Sequence, residues 1–202
     1  MASRKTQGRY DGIVRLHLVY YGAVKSSGNK PQTKNKHEIR LALSNQIQSF
    51  CIRHLPDIQI PAGGLRVKNI NGHRFIALVT RSLHAVCDVS GVLLSPEPPS
   101  GRTTERGDGD GRRKTILDGL TVPTPNELTS VVPSKDPIYC LMEDDSLAKN
   151  VCIKPDRLLA AFEPVPDGVP VWQHRKHDSL LVIEVEIGVT QITPENMAFL
   201  TR

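Results

Sequence analysis

Two acidic groups and one lysine are the residues of this chain best suited to chemistry at a phosphate. Asp108 and Asp110 lie in a glycine-rich stretch, Lys114 follows Asp110 by four positions, and residues 143–145 are three consecutive acids after an apolar segment. Crowded carboxylates repel one another, and a hard divalent cation such as Mg²⁺ relieves the repulsion because it prefers oxygen ligands. A lysine beside such a cluster can stabilise charge on a phosphate oxygen. These residues therefore indicate metal-dependent phosphoryl transfer.

Other interpretations of the glycine-rich stretch explain less of it. A calcium loop of the EF-hand type needs a closing glutamate, and that position is Gly119 here. A Walker A loop needs glycine before its lysine, whereas Arg113 precedes Lys114. A solvated Asp/Gly turn that caps a helix is the structural alternative. The downstream acids favour a metal, because three acids at the end of a buried strand need compensation.

Together, the two acidic groups resemble the RusA family of Holliday-junction resolvases. The shared pattern is Asp-x-Asp-x-x-x-Lys at the start of a helix that continues to Asp-x-Leu, and then an apolar strand that runs into Asp-Asp. In this chain the positions are Asp108, Asp110, Lys114, Asp118, Leu120, Asp144 and Asp145. The resemblance covers residues 107–120 and 138–147. It implies that Asp108, Asp110 and Asp145 bind the catalytic metal and that Lys114 is the catalytic lysine.

The resemblance also implies an activity and an assembly. The expected protein is a Mg²⁺- or Mn²⁺-dependent endonuclease that cuts branched DNA, with the four-way junction as substrate, and that acts as a homodimer with two sites. Successive strand residues face opposite sides, so only one of Asp144 and Asp145 is expected to be a direct ligand. The resemblance selects Asp145, and Asp144 is then expected to orient the ligands.

Two departures from the family pattern keep other functions open. Gly111 stands where the family has asparagine, and residues 121–136 form a proline-containing insert. A nucleic-acid-binding protein that has the resolvase-like scaffold but no longer cuts is the second hypothesis. A phosphotransfer enzyme for small molecules is the third, although the sequence has no recognisable nucleotide-binding loop.

The charge of the chain suits a polyanionic partner. The 202 residues carry a formal net charge of +5, a mild excess that fits nucleic acid. The candidates for phosphate contacts are Lys30, Lys34 and Lys36 in a loop over residues 25–36, with Arg112 and Arg113 beside the acidic motif.

No transmembrane run and no signal peptide are recognisable, so we expect a cytoplasmic protein with no membrane contact. The scattered cysteines are expected to be buried, reduced thiols.

The hydrophobic pattern predicts one α+β domain over residues 1–202, in which helices pack on a mixed or antiparallel sheet. The basic arm and loop lie within residues 1–36, the insert spans 121–136, and a proline-rich segment spans 162–178. Strands are predicted over 13–24, 65–70, 74–80, 83–94, 138–142, 147–153 and 181–187. Helices are predicted over 37–54, from about 111, and over 155–161, with a helical turn over 194–200. A tight turn at Asn71-Gly72 joins the second and third strands, and Arg40 and Arg53 are expected on the exposed side of the first helix.

Overall fold

The computed structural model describes residues 14–27, 32–55, 67–95, 109–128, 137–158 and 178–200.

Alternating apolar residues build the strand from which the larger sheet starts. In the first strand, β1 (Val14–Ala23), Leu16 and Leu18 are buried, whereas Arg15 and His17 are exposed. This is the two-residue period of a strand with one face on the core.

The larger sheet has four strands in the order β1-β7-β4-β6. Its other members are β4 (Ala85–Ser95), β6 (Ala148–Arg157) and β7 (Asp178–Val189). β7 is antiparallel to both β1 and β4, while β6 is parallel to β4. Val14, Ile187, Cys87 and Ala148 form one row across the sheet. That row marks the end of the sheet where β1, β4 and β6 begin.

A smaller sheet contains β2 (Val67–Ile70), β3 (His73–Val79) and β5 (Ile138–Met142), in that order. β2 and β3 form the predicted hairpin, with Asn71 at φ 49° and Gly72 at φ 81° in the turn. Two consecutive left-handed residues are what the tight primed turn requires. β5 is parallel to β3, and Thr121 bridges to Met142 at the outer edge of β5.

Two helices cover the core. In α1 (Thr33–His54) the buried residues Ile39, Leu43 and Ile47 recur at helical spacing. In α2 (Gly109–Leu120) Ile116 and Leu120 join the same core. The helices meet closely at Gly119, where an added Cβ would lie 2.8 Å from Ile39 Cγ2. The α+β class predicted from the sequence is confirmed.

Several local predictions were wrong. α1 begins at Thr33, four residues before the predicted start, so Lys34 and Lys36 belong to a helix and not to a loop. Residues 155–157 extend β6 where a helix was predicted; its edge position tolerates Pro155. Arg40 is buried, although Arg53 is exposed as expected.

The insert and the cysteines also differ in part from expectation. Within residues 121–136, Thr121 joins the edge of β5 and Pro125–Leu128 forms a 3₁₀ helix; residues 129–136 lie outside the described ranges. All four cysteines are free, and Cys87 and Cys140 are buried, but Cys152 is exposed on β6. A further 3₁₀ helix, Pro194–Phe199, confirms the predicted helical turn. No helix in the described ranges has both the length and the apolarity needed to cross a membrane.

Candidate functional site

The first turns of α2 present an acid and a lysine to solvent. Asp110 lies in the first turn, and its side chain is 74% exposed. Its Oδ1 accepts a hydrogen bond of 2.6 Å from Arg113 Nη2. Lys114 follows Asp110 by four positions, on the same side of the helix, and is exposed. Asp108 lies outside the described residues, immediately before the start of α2.

The segment that follows β1 is anchored against the start of α2. Ser27 donates its backbone N–H to Gly111 O at 3.1 Å. Asn35 of α1 fixes the same segment, because its side chain donates to Ala23 O at 2.7 Å and accepts from Lys25 N at 2.9 Å. These contacts tie the segment after β1 both to the first turn of α2 and to Asn35 in the first turn of α1.

The same contacts account for a glycine at position 111. A Cβ on Gly111 would overlap the Ser26 hydroxyl oxygen and would lie 3.2 Å from both Ser26 Cβ and Ser27 N. Position 111 therefore tolerates no side chain unless the segment after β1 moves.

The second acidic group forms a turn that cations largely neutralise. Glu143 Oε1 lies 2.7 Å from Lys68 Nζ, and Glu143 Oε2 accepts from Arg81 N at 3.1 Å. Burial alone raises the pKa of Glu143, but the hydrogen bonds from Lys68 and Arg81 outweigh it, and the pKa is lowered. Asp144 accepts from Ser146 N at 2.9 Å, and Arg81 Nη2 lies 3.5 Å away. The Ser146 hydrogen bonds are the main cause of the lowered pKa of Asp144.

Asp145 is the acid of this turn that remains open. Its side chain is exposed, and within the described part of the chain no hydrogen bond or ion pair engages its carboxylate. The expectation that three acids need compensation is met for the first two by Lys68 and Arg81. The third is available to a ligand.

The two acidic groups lie at opposite ends of α2. At the start of the helix Gly111 is bonded to Ser27, whereas just beyond its end Val122 N donates to Met142 O at 3.0 Å. The acidic turn follows Met142 directly. The ten residues from Asp110 to Leu120 span about 15 Å along a helix axis.

The register of the larger sheet also indicates that the two acidic groups are apart. The acidic turn leads into Ala148, which shares a row with Val14, at the start of β1. The contact with Ser27 lies beyond Ala23, and the nine residues from Val14 to Ala23 span about 30 Å in a strand. Among the described residues, no three His, Cys, Asp or Glu side chains come together as a metal-binding group. The length of α2 and the register of the larger sheet indicate that Asp110 and the acidic turn are separated within one chain.

The residues predicted to contact phosphates have different surroundings. Lys34 is exposed in the first turn of α1, and Arg113 is paired with Asp110. Arg112 is half-buried on α2, and Lys30 lies outside the described ranges. Lys36 is not available to a phosphate: its Nζ lies 2.6 Å from Asp118 Oδ2 and 3.1 Å from Glu127 Oε1.

A buried charge cluster at the end of α2 was missed by sequence reasoning. Arg40 donates from Nε to Thr121 O at 2.8 Å and from Nη2 to Asp118 O at 2.7 Å, at 2% exposure. Burial lowers the pKa of Lys36, but hydrogen bonds to Asp118 and Glu127 outweigh it and the pKa is raised. The cluster joins α1 to the end of α2 and to the insert. No local signal predicts it, because its partners are about eighty positions apart.

Comparison with known proteins gives no match. No protein-family model, no curated protein and no solved structure matches the chain at a significant level.

Proposed function

We propose that the protein is a metal-dependent endonuclease that cuts branched DNA such as a four-way junction. The observation that carries the proposal is the exposed Asp110 and Lys114 on successive turns of α2, together with the open carboxylate of Asp145. They occur in the chain order of the RusA-like pattern, between β4 and β6. A RusA-like resolvase of the cytoplasm, active as a homodimer, is the class that this pattern supports.

Each candidate residue has a role in the proposal. Asp108, Asp110 and Asp145 are the carboxylates for Mg²⁺ or Mn²⁺, and the ion would supply an activated water and charge stabilisation at the scissile phosphate. Asp144 fixes the turn through Ser146 N and so positions Asp145. Lys114 stabilises the charge that develops on the phosphate oxygens.

The phosphate contacts are assigned to exposed cations of α1 and α2. Lys34 is exposed in the first turn of α1, Arg113 is exposed on α2, and Arg112 is partly exposed. Lys30 stays a candidate on its sequence position. Such contacts position the DNA backbone without reading its sequence. Lys36 is excluded from this group because Asp118 and Glu127 occupy it.

The second candidate function is junction binding without cleavage. It is favoured by the separation of Asp110 from Asp145 in one chain and by the glycine at position 111. A small-molecule phosphotransferase gains no support from the described residues. Tight binding without strand cuts in Mg²⁺ or Mn²⁺ is the result that identifies the second candidate.

The test is cleavage of a labelled mobile four-way junction, compared with linear duplex and single strands, in Mg²⁺, Mn²⁺ or EDTA. Asp110→Asn is the inactivating variant, and Asp156→Asn, at an exposed aspartate of β6, is the matched control. We expect paired, metal-dependent cuts that are lost in Asp110→Asn and kept in Asp156→Asn. Cuts that persist in Asp110→Asn refute the assigned site.

A further inference from the structure

A groove runs along the outer edge of β1. Among the described residues, β1 is an edge strand of the larger sheet, with β7 as its neighbour. α1 lies along the open side in the opposite direction, because Asn35 in its first turn donates to Ala23 O at the end of β1. The groove between strand and helix has a volume of about 320 Å³. β1 contributes residues 14–17 to its lining, and α1 contributes Gln46, Phe50 and His54.

One end of the groove holds an amide group that is paired with the edge of β1. The side chain of Gln46 accepts a hydrogen bond of 2.9 Å from Val19 N and donates one of 2.7 Å to Val19 O. A neighbouring strand would offer the same donor and acceptor through its backbone. The main chain of Val19 therefore points away from β7, and an amide group fits beside it.

Arg15 and His17 have the same orientation as Val19. In an antiparallel pair the N–H and C=O groups of alternate residues point to the same side of the strand. Arg15 and His17 therefore each present one donor and one acceptor to the groove. Within the described ranges, no hydrogen bond outside the sheet engages the main chain of either residue.

The length of the groove suits a short extended segment. From Gln46 to His54, α1 rises by about 12 Å. In a strand that distance corresponds to about three to four residues. Gln46 closes the groove at Val19, so the edge that remains open is the part of β1 before that residue.

We propose that this groove binds an extended peptide of a partner protein, which adds a strand to the edge of β1. Recognition of this kind takes affinity from main-chain hydrogen bonds and specificity from alternate side chains. The peptide site is separate from the proposed nuclease site. β1 and β6 are the opposite edges of the larger sheet, about 14 Å apart, and the acidic turn leads into β6.

The two faces of β1 determine which peptide side chains fit. Side chains of an added strand alternate between the two faces of the sheet. On the core face they lie on the side of Phe50, which packs against the hydrophobic core, so apolar side chains fit there. On the other face they lie on the side of Arg15 and His17, which are exposed.

The charge of the groove favours acidic side chains on that second face. Arg15 contacts Glu186 at 2.7 Å, but 61% of its side chain stays exposed. The last turn of α1 carries two basic residues, and none of the described residues that line the groove is acidic. A peptide in which apolar and acidic residues alternate is therefore complementary to the groove.

Titration of the full-length protein with labelled peptides tests the proposal. The probe is a capped, fluorescent peptide in which valine and glutamate alternate. The matched control has the same composition, with all valines in one block and all glutamates in another. We expect fluorescence anisotropy to show that the alternating peptide binds and that the block peptide binds far more weakly. Equal binding of the two peptides overturns the proposed side-chain pattern.

Methylation of the peptide backbone distinguishes strand addition from other binding modes. Alternate N–H groups of an added strand point to β1, and the remaining ones point to solvent. Each set is methylated in a separate peptide. We expect one peptide to lose affinity by about tenfold or more, because donors to β1 are removed, and the other to keep its affinity. Equal effects of the two methylation patterns overturn strand addition.

Amide hydrogen exchange identifies the edge that the peptide uses. We expect the alternating peptide to slow exchange at Arg15 and His17, whereas Val19, already bonded to Gln46, changes little. His17→Pro removes an outward donor from an edge strand without removing a hydrogen bond to β7, so it should abolish binding. His17→Ala keeps that donor and is the matched control.

The possible results give a clear decision. Absence of peptide binding, or binding that leaves exchange at Arg15 and His17 unchanged, overturns the proposal. If the protein alone forms a concentration-dependent dimer in which the same amides are protected, the edge belongs to a second copy and the peptide assignment is wrong. None of these measurements uses DNA, so the decision does not depend on the nuclease proposal.

Discussion

Replacement of Gly111 by alanine tests whether the segment after β1 is docked on α2 as described. The new Cβ would overlap the Ser26 hydroxyl oxygen and would approach Ser26 Cβ and Ser27 N to 3.2 Å. The hydroxyl can rotate away, but Ser26 Cβ and the backbone of Ser27 move only if the segment shifts. We therefore expect Gly111→Ala to weaken the Ser27–Gly111 hydrogen bond and to displace the neighbouring surface.

Opposing contributions set the size of the effect. Alanine is favoured over glycine inside a helix by about 1 kcal/mol. Overpacking typically costs about 1–3 kcal/mol, and loss of a backbone hydrogen bond costs about 1 kcal/mol. Together these terms give an expected net loss of about 1–3 kcal/mol in the free energy of unfolding. Gly111→Asn, which introduces the side chain of the family pattern, is expected to cost more because its side chain is larger.

A double-mutant cycle provides the control. Ser26→Gly removes both Ser26 atoms that meet the new Cβ, so we expect it to restore most of the stability of Gly111→Ala. Urea unfolding measures the free energies of all four proteins, and junction affinity reports whether the surface recovers as well. A Gly111→Ala protein that is about 1 kcal/mol more stable than wild type, with no coupling to Ser26→Gly, would show that the segment is not docked there.

Three further predictions concern residues of α1. His37 is 4% exposed, and neither ring nitrogen has a hydrogen-bond partner in the described structure; its pKa is lowered, chiefly by burial. Stability linked to His37 is therefore present above the ordinary pKa of 6.5 and is lost as pH falls below it. In urea unfolding between pH 8 and 5, His37→Leu should flatten the dependence of the unfolding free energy on pH. An unchanged pH dependence in His37→Leu would contradict this prediction. Arg40→Met leaves two backbone carbonyls at the end of α2 without their donors, so we expect the free energy of unfolding to fall by about 2–4 kcal/mol. The exposed control Arg53→Met should lower it by less than about 0.5 kcal/mol. Equal losses in the two variants would refute the structural role of Arg40. Lys34→Ala should reduce the salt dependence of DNA binding by about one phosphate contact, whereas Lys36→Ala should lower stability and leave that dependence unchanged. The reverse pattern, measured by binding titrations in increasing salt, would return Lys36 to the DNA surface.

The sequence predicts those elements whose signal is local. The alternation in β1 and the Asn71-Gly72 turn each depend on a few neighbouring residues, and both were confirmed. The start of α1 was misplaced because lysines and a proline resemble a loop, while the anchoring role of Asn35 depends on Ala23 and Lys25 in the folded chain. Helical periodicity alone placed Arg40 on the exposed face of α1. The carbonyl groups that accept its hydrogen bonds belong to α2 and the insert, far away in sequence.

The candidate site shows the same division between local and long-range information. Residue types and spacing predicted an acid and a lysine at the start of a helix, and the structure places Asp110 and Lys114 there. Spacing could not show that β5 leaves the second acidic group at the other end of that helix, because the separation arises from the packing of two sheets. Nor could it show that Lys68 and Arg81 neutralise two of the three acids, since Lys68 lies in β2 and Arg81 follows β3, both far from the acids in sequence.

The most direct test of the proposed function is the rate of metal-dependent cleavage of a four-way junction at saturating protein, measured for the wild type and for Lys114→Ala. Loss of a group that stabilises transition-state charge slows a reaction by about 100- to 1,000-fold, so we expect a fall of that size with junction affinity little changed. Asp156→Asn serves as the control and should cleave at the wild-type rate. Wild-type protein that binds the junction but makes no cuts in Mg²⁺ or Mn²⁺, or a Lys114→Ala protein that cuts as fast as wild type, would contradict the account.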